Sequence, residues 1–410
     1  MSLYGMFHPF TRALVDAPGM NYTNPMFNKT DVIIAGAGFA GAVLAERLAE
    51  SGKKVLIVEK KQHIGGHCYD FKNDAGILIH KFGPHIFHTG DQKAWDYLSR
   101  FTDWYYYQHT VLGHIDGQKV PIPFNLNSLH SLFPASLANR IEEKLVKQYG
   151  FGSRVPILEL RKSDDSELQN LADYIYRKIF LNYTLKQWGG LSPEDLDPSV
   201  SGRIPVVISR DNRYFHDQYQ GIPSRGYTAI FEKMLDHPNI SLLLNTDLGD
   251  VVTLKDGVIY TDSGVFKGSL VYTGMIDELF DFKFGELPYR SVRFEWQDHD
   301  REFYQENSLM NYPNNYDFTR ITEYKYFQNT PTLPGKTTIG IEYPQDYIRD
   351  KNDPYYIIQG DDNGQRYEQY KALASSYNRL VTVGRLADYK YYNMDQIISR
   401  SLEVAEDILK

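Results

Sequence analysis

An apolar β-branched run, Val32-Ile33-Ile34-Ala35, leads directly into Gly36, Gly38 and Gly41. A short continuous apolar run rich in β-branched residues and bounded by glycine predicts a strand buried on both faces. A helical stretch follows, and then a second apolar run, Val55-Leu56-Ile57-Val58, ends in the acid Glu59. Residues 31 to 66 therefore read as a strand-helix-strand unit. Further on, Trp95, Leu98 and Phe101 recur at helical spacing between residues 91 and 101. The alternating stretch from Lys119 to Phe124 holds Pro121 and Pro123, too much proline for a central strand, and reads as a crossing between domains.

Residues 125 to 200 read as helical. Ile141 and Leu145 mark one helix that stops near Gly150. Asp164 with Glu167 resembles a helix start, after which Leu168, Leu171, Ile175 and Ile179 form an apolar stripe closed by Phe180. Residues 226 to 235 predict another helix, ended by Pro238. The period then falls to two. Residues 240 to 244, 249 to 254, 258 to 261 and 269 to 273 read as short strands of a meander, with Asp256-Gly257 and Ser263-Gly264 as turns. From residue 289 to 343, runs around Val292, Met310, Ile321 and Ile339 predict a second, antiparallel sheet. Residues 380 to 385 read as a strand and glycine turn, and Asn393 can cap a last helix over 394 to 409.

This order predicts an α/β fold: a Rossmann-like nucleotide-binding domain with an inserted helical domain and an antiparallel sheet domain. The nucleotide domain is expected to be discontinuous, built from residues 30–105, 220–275 and 375–410. Residues 125–200 would form the helical domain, and 106–124, 201–219 and 276–374 the sheet domain. Residues 1–29, broken by Pro9, Pro18 and Pro25, are expected to be an extension without a chemical role.

The glycines after the first strand have separate jobs. Gly36 permits the tight turn, Gly38 lets the backbone approach a diphosphate, and Gly41 lets the helix pack on the sheet. The helix N-terminus offers free N–H groups to the diphosphate. Glu59, roughly twenty residues on, would accept bonds from ribose hydroxyls. Gly65-Gly66 just beyond it argues for FAD over NAD, because flavoproteins that resemble this stretch carry a glycine pair there.

With 410 residues the chain can fill two or three domains, and its net charge of -8 disfavours a nucleic-acid partner. The single cysteine, Cys68, fits a reducing compartment, and no apolar run approaches a membrane span, so a cytoplasmic location is expected. His63, His67, His80, His85 and His88 cluster with Cys68. No carboxylate cluster accompanies them, and no helix would align His85 with His88, so no metal site is expected. The Gly83-Pro84 turn would instead deliver His85 beside a flavin ring. Tyr183, Thr184 and Trp188 precede Arg203, Arg210, Arg213, Tyr214 and Arg225. A later group holds Asn311, Arg320, Tyr355, Tyr356, Arg385, Tyr391 and Tyr392. Arginines and tyrosines together bind phosphate oxygens, so a second diphosphate site is implied. The residues leave open an amine-oxidase-type FAD oxidoreductase and a nucleotide-sugar binding protein without flavin.

Several motifs, in order, resemble bacterial UDP-galactopyranose mutase. They are Gly65-Gly66-His67, Gly83-Pro84-His85-Ile86-Phe87-His88-Thr89, Tyr183-Thr184 with Lys186-Gln187-Trp188-Gly189, and Gly202-Arg203-Ile204-Pro205-Val206. Tyr272-Thr273-Gly274, Thr319-Arg320 and the run from Gly384 to Tyr392 complete the series. The resemblance implies an isomerase that interconverts UDP-galactopyranose and UDP-galactofuranose with reduced FAD. In such enzymes flavin N5 attacks the anomeric carbon, UDP leaves, and the sugar on the N5 adduct opens and recloses without net redox change. Homo-oligomers are expected.

Carried over by resemblance, Arg203 and Arg320 clamp the substrate diphosphate. Tyr214, Tyr356 and Tyr391 donate to it. Tyr183 stacks on uracil, with Phe180, Thr184 and Trp188 around it. His85, His109 and Asn311 lie near flavin and sugar. The cofactor set is Gly36, Gly38, Phe39, Ala40, Gly41, Glu59, Lys60, Gly65, Gly66, His67, His85, Arg385, Asn393 and Met394. Relatives carry Asp at position 393, some carry Asn at 109, and some carry Phe at 179. The proline-containing segment 192–202 is a candidate lid.

Overall fold

The computed structural model describes residues 29–195, 205–358 and 360–410. The expected extension thus lies outside the described residues except for Lys29, as do Arg203 and most of the candidate lid.

Five parallel strands form the first sheet, in the order Ile240–Leu243, Val55–Val58, Val32–Ala35, Ser269–Tyr272, Leu380–Thr382. The two central strands of the glycine unit are buried at every position, as their unbroken apolar runs require. The helix Phe39–Glu50 shares a core with Tyr227–Leu235 and with the C-terminal helix Met394–Leu409, through Phe39, Val43, Ile230, Phe231, Ile398 and Leu402. Each such side chain contributes about 1.5–3 kcal/mol on burial.

The meander is smaller than its period suggests. Only Thr253–Lys255, Val258–Thr261 and Gly264–Val265 pair antiparallel, and the runs at 240 and 269 belong to the parallel sheet. Short apolar runs do not reveal their partner strands, and here Val32 fixes Ser269 and Val55 fixes Ile240. The Asp256-Gly257 turn is present, with positive φ at both residues.

A seven-stranded sheet forms the second layer, in the order Tyr356–Ile357, Tyr289–His299, Thr337–Asp346, Arg320–Glu323, Leu309–Asn311, Val111–Ile115, Gln118–Ile122. It is antiparallel apart from one parallel pairing, Leu309–Asn311 with Val111–Ile115, which corrects the all-antiparallel expectation. The proline-rich stretch is a strand after all. It lies at the sheet edge, where Pro121 opposite Leu112 needs no outward partner for a missing N–H.

Beyond that edge come the helices Leu126–Leu132, Ala135–Tyr149, Ile157–Leu160 and Ser166–Ile175. Asp165 rather than Asp164 caps the last of these, accepting from the N–H groups of Glu167 and Leu168. Its buried stripe of Leu168, Leu171 and Ile175 packs with Ile141, Leu145, Val111 and Ile122. The helix then loosens into a π segment, Tyr176–Leu181, before Asn182–Gln187. Among the described residues no helix is long and apolar enough to cross a membrane.

Candidate active site

The carboxyl ends of the parallel strands open into a cavity of about 570 Å³. It is lined by Gly36, Gly38, Phe39, Ala40, Glu59, Lys60, Gly65, Gly66, His67, Arg385, Asn393 and Met394, twelve of the fourteen expected cofactor residues. The backbone is shaped for a diphosphate. Gly36 has φ +107°, and a Cβ there would lie 2.1 Å from Thr273 Oγ1. A Cβ on Gly41 would lie 2.0 Å from the Gly36 carbonyl oxygen, so Gly41 serves helix packing and does not line the cavity. Gly65 N–H donates to the Ala37 carbonyl at 2.8 Å, which presses the glycine pair against the loop. Gly38 caps the helix without a side-chain bond, leaving the first N–H groups for an anion.

Glu59 is buried and accepts from the N–H groups of Ala37 and Lys61, each at 2.8 Å. Each oxygen keeps a second lone pair for a ribose hydroxyl. Asn393 forms a capping box with Gln396 at the start of the C-terminal helix, beside the cavity. The residues present therefore fit FAD. Thr246, Asp247, Leu248, Gly249 and Met275 also line the cavity and were missed from sequence. All follow strand ends of the parallel sheet, where ligands of such folds bind, and correct strand partners would have found them.

His85 is not part of this lining, contrary to its place in the cofactor set. Its Nδ1–H donates to the Gly83 carbonyl at 2.7 Å, and its backbone N–H donates to His80 Nδ1 at 3.0 Å. Burial, with Arg385 and Arg320 nearby, holds its pKa down to about 4. The ring is thus neutral and keeps Nε2 as an acceptor. Of the other clustered histidines, His63 stacks on Tyr69, His88 stacks on Phe215 and meets Asp217, and His67 stacks on Tyr355 at the cavity wall.

A chain of rings leads from the cavity to a second site. Tyr355 stacks on His67 at 4.6 Å, and its carbonyl accepts from Arg385 Nη1 at 3.1 Å. The Arg385 guanidinium lies 5.6 Å from the Tyr391 ring. Tyr391 stacks on Tyr356, which meets Trp188 at 5.7 Å. Arg320 Nε donates to Glu342 Oε2 at 2.6 Å, and Glu342 is almost wholly buried. Burial works against the guanidinium charge, but the Glu342 carboxylate more than restores it.

Phe180, Tyr183, Thr184 and Asn311 line a smaller cavity of about 50 Å³ with Ile179, Ile122, Gly113 and Pro313. Tyr214 packs against the hydrophobic cluster that holds Ile179 and Phe180, its ring 5.7 Å from that of His109. His109 Nδ1, Asn311 Oδ1 and Glu342 Oε1 are buried without a hydrogen-bond partner among the described residues. Buried polar atoms left without a partner suit a ligand rich in hydroxyls, and Asn311 lies in the lining of the smaller cavity. Three of the sequence's arginines stay outside. Arg210 pairs with Glu142, Arg213 pairs with Asp211, and Arg225 is exposed.

The buried histidines predict an acid-sensitive fold. His80 and His109, like His85, are pushed down, both to about 3 and chiefly by burial. In the unfolded chain they would titrate near 6.5. The unfolded state therefore binds more protons between pH 6.5 and 4, and stability falls as pH drops through that window. Urea midpoints measured from pH 7 to 4.5 should decrease, and His109→Gln should shallow the slope.

Residues 178–391 match the family model described as UDP-galactopyranose mutase, and residues 34–101 match an NAD(P)-binding Rossmann-like domain. A UDP-galactopyranose mutase of Mycoplasma pneumoniae is 34% identical over 95% of this chain and 98% of its own. A dTDP-fucopyranose mutase of Escherichia coli is 32% identical over 92% and 98%. A crystal structure of reduced UDP-galactopyranose mutase superposes with a TM-score of 0.69 at 17% identity, covering 93% of this chain and 94% of that one. Sequence, fold and glycine cradle agree on FAD as the cofactor. The chain belongs to the UDP-galactopyranose mutase family.

Proposed function

We propose that the chain interconverts UDP-galactopyranose and UDP-galactofuranose without net redox change. The observation that carries this reading is the Arg320–Glu342 pair, set among tyrosines that run continuously to the FAD cavity through Tyr356, Tyr391 and Arg385. When bound and reduced, FAD supplies a nucleophilic flavin nitrogen for the anomeric carbon.

The protein holds and orients. Arg320 carries the diphosphate as it departs, fixed in direction by Glu342. Tyr214, Tyr356 and Tyr391 donate to phosphate oxygens. Tyr183 stacks on the base, with Phe180, Thr184 and Trp188 enclosing it. His109 and Asn311 accept from hydroxyls through atoms that are otherwise unpaired. Neutral His85 offers Nε2 as a proton acceptor on the flavin side. Arg203, outside the described residues, completes the clamp in this reading.

The division of labour follows the layers. Residues 30–105, 220–275 and 375–410 hold FAD. The helical segment 125–200 supplies the base pocket, and 106–124, 201–219 and 276–374 supply the diphosphate wall. Cys68, buried against Met394 at 3.8 Å with its thiol pushed up to about 12, suits a cytoplasmic enzyme.

The test is turnover in two redox states. Protein reduced with dithionite should convert UDP-galactofuranose to the pyranose, followed by chromatography, and oxidised protein should be nearly inert. Equal rates in both states overturn the proposal. Because a family relative bears the name dTDP-fucopyranose mutase, dTDP-linked sugars belong in the same assay. Faster turnover of those would reassign the substrate.

A further inference from the structure

The Lys186 ammonium, in the last turn of the helix Asn182–Gln187, is surrounded by backbone oxygen. It donates to the carbonyls of Tyr312 at 2.6 Å, Phe318 at 3.0 Å, and Asn314 and Tyr316 at 3.2 Å each. Four carbonyls from one loop, residues 312–319, therefore converge on a single amine. A compact point charge with three rotatable donors fits such a cage, and a planar guanidinium does not.

The loop is the connection between Leu309–Asn311 and Arg320–Glu323. Its two ends are Asn311 and Arg320, paired across the sheet. Its rings close on themselves, with Tyr312 centred 5.0 Å from Tyr316 and 4.9 Å from Phe318. On the other side of the ammonium, Tyr183 and Thr184 precede Lys186 by one helical turn or less, and Trp188 follows it. The same helix end is held from behind. Arg290 Nε donates to the Gln187 carbonyl at 3.1 Å and Nη2 to the Lys186 carbonyl at 3.2 Å, while Asp346 pairs with the guanidinium. Gly189, at φ +66°, leaves room for that guanidinium, which a Cβ would approach to 2.7 Å.

We propose that Lys186 is a positioning residue that pins the Arg320 loop to the nucleotide helix and so fixes the spacing between the two walls of the sugar-nucleotide cleft. The inference rests on the sugar-nucleotide reading above. A ligand that spans both walls binds at full strength only when the walls are already in place, because ordering them on binding costs affinity. Lys186 lines neither cavity. Its effect passes through Arg320 and Asn311 on one side and Tyr183 on the other.

The experiment compares holoenzyme carrying Lys186→Met, nearly isosteric but without donors, with wild type. UDP affinity is measured by calorimetry on the oxidised protein, and kcat and KM on the reduced protein. The expected result is a rise of about tenfold in UDP Kd and in KM, with a smaller change in kcat and an unchanged flavin spectrum. Backbone amides of residues 312–319 should exchange faster in the unliganded variant. If Lys186→Met fails to fold, Lys186→Gln, which keeps two donors, is read instead and should show the same shift at reduced size. Wild type that binds UDP beside a folded variant with unchanged Kd and KM overturns the pin alone. Wild type that does not bind UDP overturns the functional reading and the pin with it.

Discussion

Arg320→Ala protein is expected to purify with normal flavin absorbance and to lose turnover by about 100- to 1000-fold, the usual effect of removing one preorganised group that meets developing charge. Arg320 lies outside the residues that line the FAD cavity, so the absorbance at 450 nm per mole of protein should not change. The loss should appear in kcat as well as in KM, because the diphosphate gains charge as the bond to the sugar breaks. The substitution also leaves Glu342, almost wholly buried, without its cation. Breaking a buried pair costs about 3–5 kcal/mol, so a lower melting temperature should accompany the loss. Arg320→Lys separates the two effects. It keeps a positive charge near Glu342 but cannot grip two oxygens at once, so it should recover much of the stability and little of the rate. Near wild-type turnover in either variant would remove Arg320 from the clamp.

Gly36→Ala is expected to yield colourless protein. The added carbon would lie 2.1 Å from Thr273 Oγ1, a hydroxyl already committed to the Ala35 carbonyl at 2.7 Å. It would also hold an L side chain at φ +107°. Backbone strain alone costs about 1–3 kcal/mol, which corresponds to roughly 5- to 150-fold in affinity. The steric clash adds to that in the one loop meant to touch the diphosphate. Gly90→Ala is the control, since its Cβ meets nothing within 4 Å. The ratio of flavin to protein after gel filtration decides the matter. A yellow Gly36→Ala protein would mean that the cofactor's phosphates lie elsewhere.

What the sequence made legible was local. Val32 to Ala35, the three glycines and Glu59 announce themselves within one short unit, and the structure brings Ala35, Gly36, Gly38 and Glu59 to one cavity wall. The runs at Ile240 and Ser269 are as apolar as the meander strands between them. Only their distant partners Val55 and Val32 show which sheet they join. That error also hid Thr246 to Gly249, because the strand end that delivers them was assigned to the meander and not to the parallel sheet. Arg210 and Arg213 looked like phosphate ligands by type, yet Glu142 and Asp211 had already claimed them. Lys186 was read only as part of a motif. Its partners are backbone carbonyls, which every residue carries and no pattern marks.

The π segment Tyr176–Leu181 governs how the small cavity lined by Phe180, Tyr183, Thr184 and Asn311 can change. A π turn seats one more residue than an α turn, and each residue in a helix is offset by about 100°. The direction in which Tyr183 and Thr184 face is therefore set upstream, by an irregularity that no side chain in the pocket contributes. A one-residue deletion there could restore a regular helix and still swing the whole pocket wall away from Asn311. Substitutions at Ile179 or Phe180 change the lining of the small cavity, but the helix length through this segment sets where Tyr183 and Thr184 face.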